Sequence, residues 1–320
     1  MAEETRHVLE LAASEAQAAP SIFNTQPWRW HLANDELRLR ADRSRQLEVT
    51  DPDGRQLTIS CGAALHHAVV ALAAAGYGAE VSRQQDPGDA DLLAVVRVAG
   101  TRVPSENDRR LHQAIPRRRT DRRAYGAEDV ESRTISGLVA AAENQSAHLH
   151  ISSNDQVKVL RDAAIRAEQV HQADTAYQIE LASWTHRPSR ARDGVPAATA
   201  VVPTDRRVPV RGLAVPGVGI SPGVEHDVAA IYALVFTDTD ERLDWLRAGE
   251  ALSAVVLSAT AMNLAASPIS DVMELAETRA EVSHILDGPG HAQIAVRIGH
   301  PPEGEMPASP RRDPAEVIDT

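Results

Sequence analysis

Aromatic residues make up only 3% of the 320-residue chain, so its core has to be built from Ala, Val, Leu and Ile. There is one cysteine, Cys61, which excludes an internal disulfide and any zinc site made of several thiolates. There is one lysine, Lys158, and arginine supplies nearly all of the positive charge. Acids still outnumber bases by 45 to 33, and the formal net charge of −12 argues against a nucleic-acid partner, whose phosphates are bound by neutralisation. The longest apolar run, residues 62–79, contains His66 and His67 and falls short of a membrane span. The first residues carry no basic stretch ahead of an apolar one, so no secretory signal is expected. At 43% hydrophobic and 24% charged, the composition is that of a folded, cytoplasmic protein with room for two domains.

Apolar spacing predicts a helix over 5–19, stopped by Pro20. Alternation at Trp28, Trp30, Leu32 and again at Leu37, Leu39, Ala41 predicts a hairpin turning at Asn34-Asp35. A helix over 56–75, ended by Gly76 and Gly78, leads to a buried strand over 92–98. A basic cluster at 117–123 precedes a helix over 129–144, a strand over 147–151 and one long helix over 154–184. A strand over 230–237, a helix running toward Ala266, a helix over 272–286 and a strand over 292–298 complete the chain.

Two pieces resemble each other. Gly62-Ala-Ala-Leu65 and Gly249-Glu-Ala-Leu252 each open an alanine-rich helical stretch, and Val96-Arg97-Val98 and Val296-Arg297-Ile298 each follow on a strand. A degenerate duplication of an α+β unit explains this; chance similarity of alanine-rich helices is the alternative. Between them, residues 185–225 carry six prolines, five glycines and six arginines without periodicity. A stretch of that kind is a lid, a binding loop or a solvated, disordered insertion.

Three segments stand out chemically. Pro20-Ser21-Ile22-Phe23-Asn24-Thr25-Gln26-Pro27-Trp28 places three hydroxyl or amide groups, at Ser21, Asn24 and Gln26, on a proline-stiffened turn ahead of a strand. In extended conformation, Arg118, Thr120 and Arg122 of Arg118-Arg119-Thr120-Asp121-Arg122 fall on one face, a comb suited to phosphate or an anionic ring edge. A proline-flanked pair, Arg311-Arg312, follows the last strand. A capping turn and solvated charge runs are the plainer readings of the same residues. His66-His67 point to different sides of a helix and cannot chelate one metal together, so no metal site is expected.

Together these segments resemble the nitroreductase superfamily of FMN oxidoreductases. The matches are the Pro20 to Trp28 turn, Arg118-x-Thr120-x-Arg122, Ala266-Ser267-Pro268-Ile269 and the late Arg311-Arg312 pair. The resemblance implies an α+β nitroreductase-like fold with FMN as cofactor. It assigns FMN contacts to Pro20, Ser21, Ile22, Asn24 and Gln26 of the turn. It adds Arg118, Arg119, Thr120 and Arg122, then Pro268, Ile269 and Ser270, and finally Arg311 and Arg312. Members of the superfamily complete each flavin site across a dimer, with the turn from one subunit and the arginines from the other. Here the turn lies in the first part of the chain and the basic motifs in the second, once each. The chain therefore resembles a fused dimer that has kept one site, as in the actinobacterial tandem branch, the Acg family, whose members carry a covering lid. The halves expected are 1–104 and 105–320, with the lid at about 185–225, one FMN per chain and a monomeric state.

The implied activity is hydride transfer from NAD(P)H to a nitro or quinone-type acceptor. The alternative is a protein that holds FMN under a closed lid without turnover; a scaffold with both sites lost is a third. Asp271 stands where the family has a small residue beside the flavin, and a carboxylate there opposes the build-up of negative charge.

Overall fold

In the computed structural model, the description covers residues 2–33, 35–83, 88–185, 187–202, 206–213, 219–223, 226–286 and 288–319. Helix α1 (Ala2–Ala16) buries Val8, Leu9, Ala12, Ala13 and Ala16 along one stripe. The hairpin of β1 (Trp28–Ala33) and β2 (Glu36–Ala41) forms as its alternation demands, with Trp28, Trp30, Leu37 and Leu39 fully buried. The expected turn residue Asn34 lies outside the described residues. Helix α2 (Arg55–Ala74) is followed by β3 (Tyr77–Arg83) and β4 (Leu92–Thr101). Its length and apolar composition match those of a membrane-crossing helix, yet nearly every residue is buried inside the fold.

Helix α3 (Glu106–Ala114) is polar and escapes a hydrophobic-period reading. What starts it is a capping box: Ser105 Oγ accepts from the Asp108 amide at 3.1 Å, and the Ser105 amide donates to Asp108 Oδ2 at 2.7 Å. Then come α4 (Ser132–Glu143), β5 (His148–Ile151), α5 (Asn154–Ala173) and α6 (Thr175–Thr185). The single helix expected over 154–184 is two, because Asp174 leaves the helix and its carboxylate caps the next one at the Ala176 and Tyr177 amides. After β6 (Ile231–Thr237), helix α7 (Arg242–Ala261) stops short of Ala266. Asn263 takes a left-handed φ of 59°, and the chain re-enters a sheet as β7 (Ala265–Ile269). The helix expected over 272–286 shrinks to α8 (Ala276–Ser283); β8 (His291–Gly299) and β9 (Ile318–Asp319) end the chain.

The strands form two sheets, ordered β3-β4-β2-β1-β9 and β5-β6-β8-β7. Apart from β9, which joins β1 in parallel, the pairings are antiparallel and follow one scheme. The two strands after the long helix pair with each other, and the second also pairs with the strand before that helix. Long helices α2 and α7 cross between the sheets. A Cβ on Gly62 would lie 2.0 Å from the Leu246 carbonyl oxygen, and one on Gly249 would lie 2.0 Å from that of Ile59. Leu246 is three residues before Gly249, and Ile59 is three before Gly62. The crossing is therefore reciprocal, the geometry of a two-fold contact.

Candidate functional site

The turn at 20–28 is strained and tied down. Phe23, Asn24 and Gln26 all have left-handed φ, at 45°, 54° and 50°, which costs non-glycine residues free energy. Ser21 Oγ accepts from the Gln26 amide at 3.0 Å, and Ser60 Oγ on α2 accepts from the Ile22 amide at 3.2 Å. Asn24 Nδ2 donates to the carbonyls of Gly194 and Pro310, at 2.9 and 3.1 Å. Gln26 Nε2 donates to the Arg192 carbonyl, and its Oε1 accepts from the Arg312 amide at 2.8 Å. Asn24 and Gln26 therefore stitch segment 185–225 and the C-terminal segment to the turn, and they do not face open space.

Beside this turn lies a partly open cavity. Its walls are Pro20 to Phe23, then Gln56, Ile59, Ser60 and Ala63 of α2, and Ser267 to Asp271 at the end of β7. Thr120 and Arg122 also line it. The turn, the basic motif and the Pro-Ile segment, distant in sequence, thus converge. Thr120 is held by a parallel bridge to Ala266. Among the described residues, the Arg122 side chain has no hydrogen-bond or ion-pair partner; burial and the nearby Arg211 and Arg297 bring its pKa down to about 10.

Arg118 is not on the face of Thr120 and Arg122, because it closes a turn on the Ala114 carbonyl at the end of α3. It joins Arg119 and Arg311 next to Pro20. Arg118 donates to the Ala18 carbonyl at 3.1 Å, and Arg311 donates to the Ala18 and Ala19 carbonyls and to Asn24 Oδ1. Arg119 donates to the Pro116 carbonyl at 2.7 Å. Among the described residues none of the three pairs with a carboxylate, and the Nε of each is buried without a partner. Burial and mutual repulsion push Arg118 down to about 9 and Arg311 to about 10. Arg312 parts from its neighbour: it donates to the Gln26 and Glu316 carbonyls and lies 3.8 Å from Asp42.

Residues 115–300 match the family model described as the Nitroreductase family. Over 99% of its length this chain is 42% identical to the Mycobacterium tuberculosis protein Rv3131, whose name calls it an NAD(P)H nitroreductase; 92% of that protein is covered. It is 33% identical over 98% of its length to Acg of the same organism, covering 96% of it. The chain belongs to the nitroreductase family.

Solved structures of family type align with lower similarity. A Bacteroides fragilis nitroreductase with bound FMN covers 63% of this chain and 94% of its own, at 12% identity and a TM-score of 0.39. An iodotyrosine deiodinase bound to FMN and 3-iodo-L-tyrosine covers 63% and 95%, at 14% and 0.41.

Within this member of the family, the described part of segment 185–225 differs from a solvated insertion. Val195, Ala200, Val201, Val208 and Leu213 are buried, and Val208 to Arg211 with Leu213 line the cavity. Its arginines are not all solvated: Arg206 is buried, and Arg187 pairs with buried Asp193 and lies 4.5 Å over Trp184. Residues 203–205, 214–218 and 224–225, which include Pro203, Pro216 and Gly217, lie outside the described residues.

Arg211 is the site residue that sequence motifs do not reveal. Its guanidinium lies 4.7 Å from the Phe23 ring, donates to Tyr177 Oη at 2.8 Å and pairs with Glu274. Ser270 Oγ also donates to Glu274, at 3.0 Å. Behind it, His171 stacks on Tyr177 with centroids 4.0 Å apart. Burial raises the Asp271 carboxyl above its ordinary range, and Arg211 opposes the shift. Arg211 thus favours charge at Asp271 while its direct partner is Glu274, an arrangement that no local motif carries.

Proposed function

We propose that the chain is an FMN-binding, nitroreductase-like flavoprotein with one FMN held between its two halves, 1–104 and 105–320. The observation that carries this is the trio of buried Arg118 and half-buried Arg119 and Arg311: cations held on backbone carbonyls, with no carboxylate partner among the described residues and three buried Nε donors unused. Three clustered cations without a counter-charge repel one another, and a dianionic phosphate is the group that offsets them. The donor set therefore fits the phosphate end of FMN. The adjoining cavity fits its ring in character, apolar along Ile22, Ile59, Leu252 and Ile269, with unpaired Arg122 as the cation for an electron-rich ring edge.

Bound FMN would supply hydride chemistry between a nicotinamide and an acceptor. The chain's own residues bind and shape that site. Ser60 fixes the Pro20 to Phe23 turn, Arg118, Arg119 and Arg311 anchor the phosphate, and Arg122 favours negative charge within the cavity. Arg211 pairs with Glu274 and favours the charged form of nearby Asp271. The reaction class that follows is NAD(P)H-dependent reduction of a nitro or quinone-type acceptor. Single copies of each motif, and a glycine crossing that already provides a two-fold-like contact inside one chain, support one FMN per monomer of a fused pair.

A second reading, an FMN-holding protein closed by a lid, is favoured by one observation: Val208 to Arg211 line the cavity, and Arg211 is tied to Tyr177 and Glu274. A visible spectrum of the purified protein separates the readings. The yellow of bound flavin, bleached by NADPH, supports the enzyme. Colour that only dithionite bleaches supports the lid-closed holder. A colourless protein that takes up no FMN overturns both.

A further inference from the structure

Helix α2 presents Gln56, Ser60 and Ala63 to the cavity, spaced as one helical face. His67 is the next residue on that face, one turn beyond Ala63, within electrostatic reach of Arg118 and Arg311. It is fully buried, and among the described residues its Nε2 has no partner. Its Nδ1 lies 3.0 Å from the Ala63 carbonyl oxygen and 2.9 Å from Ser253 Oγ. A backbone carbonyl only accepts, so Nδ1 carries the hydrogen and Nε2 is left as a bare lone pair. Ser253 then accepts from His67 and donates its own hydrogen to His66 Nδ1, 2.8 Å away, so the rest of the chain of bonds is complete.

The charged and titratable groups that act on His67 are His66 on the same helix, Arg118 after α3 and Arg311 from the C-terminal segment. No carboxylate is among them, and together with burial they hold the ring neutral. A bare lone pair facing a dianionic phosphate oxygen repels it. One added proton turns the same contact into a charge-assisted hydrogen bond and leaves the Ala63 and Ser253 bonds intact.

We propose that His67 is a further phosphate ligand of the flavin site, and that FMN binding takes up one proton, shared between His67 Nε2 and the phosphate. This rests on the FMN reading above. Riboflavin, which has no phosphate, binds without that proton. Because the complex holds one more proton than the separated partners, FMN affinity falls as pH rises, by up to about tenfold per pH unit.

Calorimetric titration of the FMN-free protein at pH 7.5, in buffers of different ionisation enthalpy, counts the protons. Free FMN phosphate, with a second pKa of about 6, is already dianionic there. The expected result is about one proton taken up with FMN and none with riboflavin, with FMN affinity falling between pH 7 and 8.5. His67→Gln should bind FMN with no proton uptake and a flat pH dependence. The wild-type count stands even if that variant does not fold. No uptake with FMN in the wild type, or unchanged uptake in His67→Gln, overturns the inference. If Arg311→Ala still weakens FMN in that case, only the role of His67 falls. If FMN binds no more tightly than riboflavin and Arg311→Ala changes nothing, the phosphate site itself falls.

Discussion

At the scale of residues, the site is a set of charges left unpaid by the protein. Arg118 sits among carbonyls and other arginines, where desolvation and like charge both act against it. Replacing it with methionine, which keeps most of the volume, should leave the melting temperature of the FMN-free protein no lower. The same variant should weaken FMN binding by roughly 1.5–3 kcal/mol, about ten- to a hundredfold, because it removes charge-assisted bonds to the phosphate. Arg311→Ala should show the same loss for FMN. Arg312→Ala should not, since its guanidinium is engaged by Gln26, Glu316 and Asp42; it should lower stability and leave the ratio of FMN to riboflavin affinity unchanged. Thermal melts and flavin fluorescence titrations of the three variants check this.

At the scale of elements, segment 185–225 is fastened to α5 and α6 through Arg211, Tyr177 and His171. Burial, reinforced by Arg211, depresses the His171 pKa to about 4, against about 6.5 when unfolded. The folded state therefore resists the proton that the unfolded state accepts, and stability contributed by neutral His171 is lost as pH falls from about 6.5 toward 4. Between pH 7 and pH 5 stability should fall, by less than burial alone would give, because Glu274 Oε2 lies 3.6 Å from His171 Nε2. His171→Phe keeps a ring stacked on Tyr177 and should remove that part of the acid sensitivity, as read by urea unfolding at the two pH values.

The same elements show what the sequence made legible. The β1–β2 hairpin, α2 and β4 follow directly from period-two and alanine-rich patterns. The α5–α6 break was hidden because Asp174 acts as a cap only once the chain has turned. Likewise the apolar pattern carries the helix on toward Ala266, inside β7, since alanines suit both until Asn263 turns the backbone. In the site, the Pro20 to Trp28 turn and the basic motif were visible as motifs. The roles of Arg211 and His67 depend on packing between segments far apart in the chain, from 34 residues for Arg211 and Tyr177 to 186 for His67 and Ser253, and no local pattern carries that.

At the scale of the whole molecule, the two sheets repeat one strand scheme around helices that cross at Gly62 and Gly249. The reciprocity of that crossing has a consequence for mutation. A methyl at either glycine meets a backbone carbonyl at 2.0 Å, which no rotamer change relieves. Gly62→Ala and Gly249→Ala should each destabilise the protein by about 3 kcal/mol or more, and to a similar extent, because each pushes apart the same pair of helices. Unequal losses in denaturant unfolding, with one variant near wild type, would contradict a two-fold-like interface. Since the cavity draws walls from both sides of this interface, both variants should also lose FMN affinity. The most direct test of the central claim, a single FMN held between the halves by arginines that no carboxylate among the described residues pairs with, is a titration of the FMN-free protein with FMN and with riboflavin. The account predicts one FMN per chain, bound at least tenfold more tightly than riboflavin; two flavins per chain, none, or equal affinity for the two would contradict it.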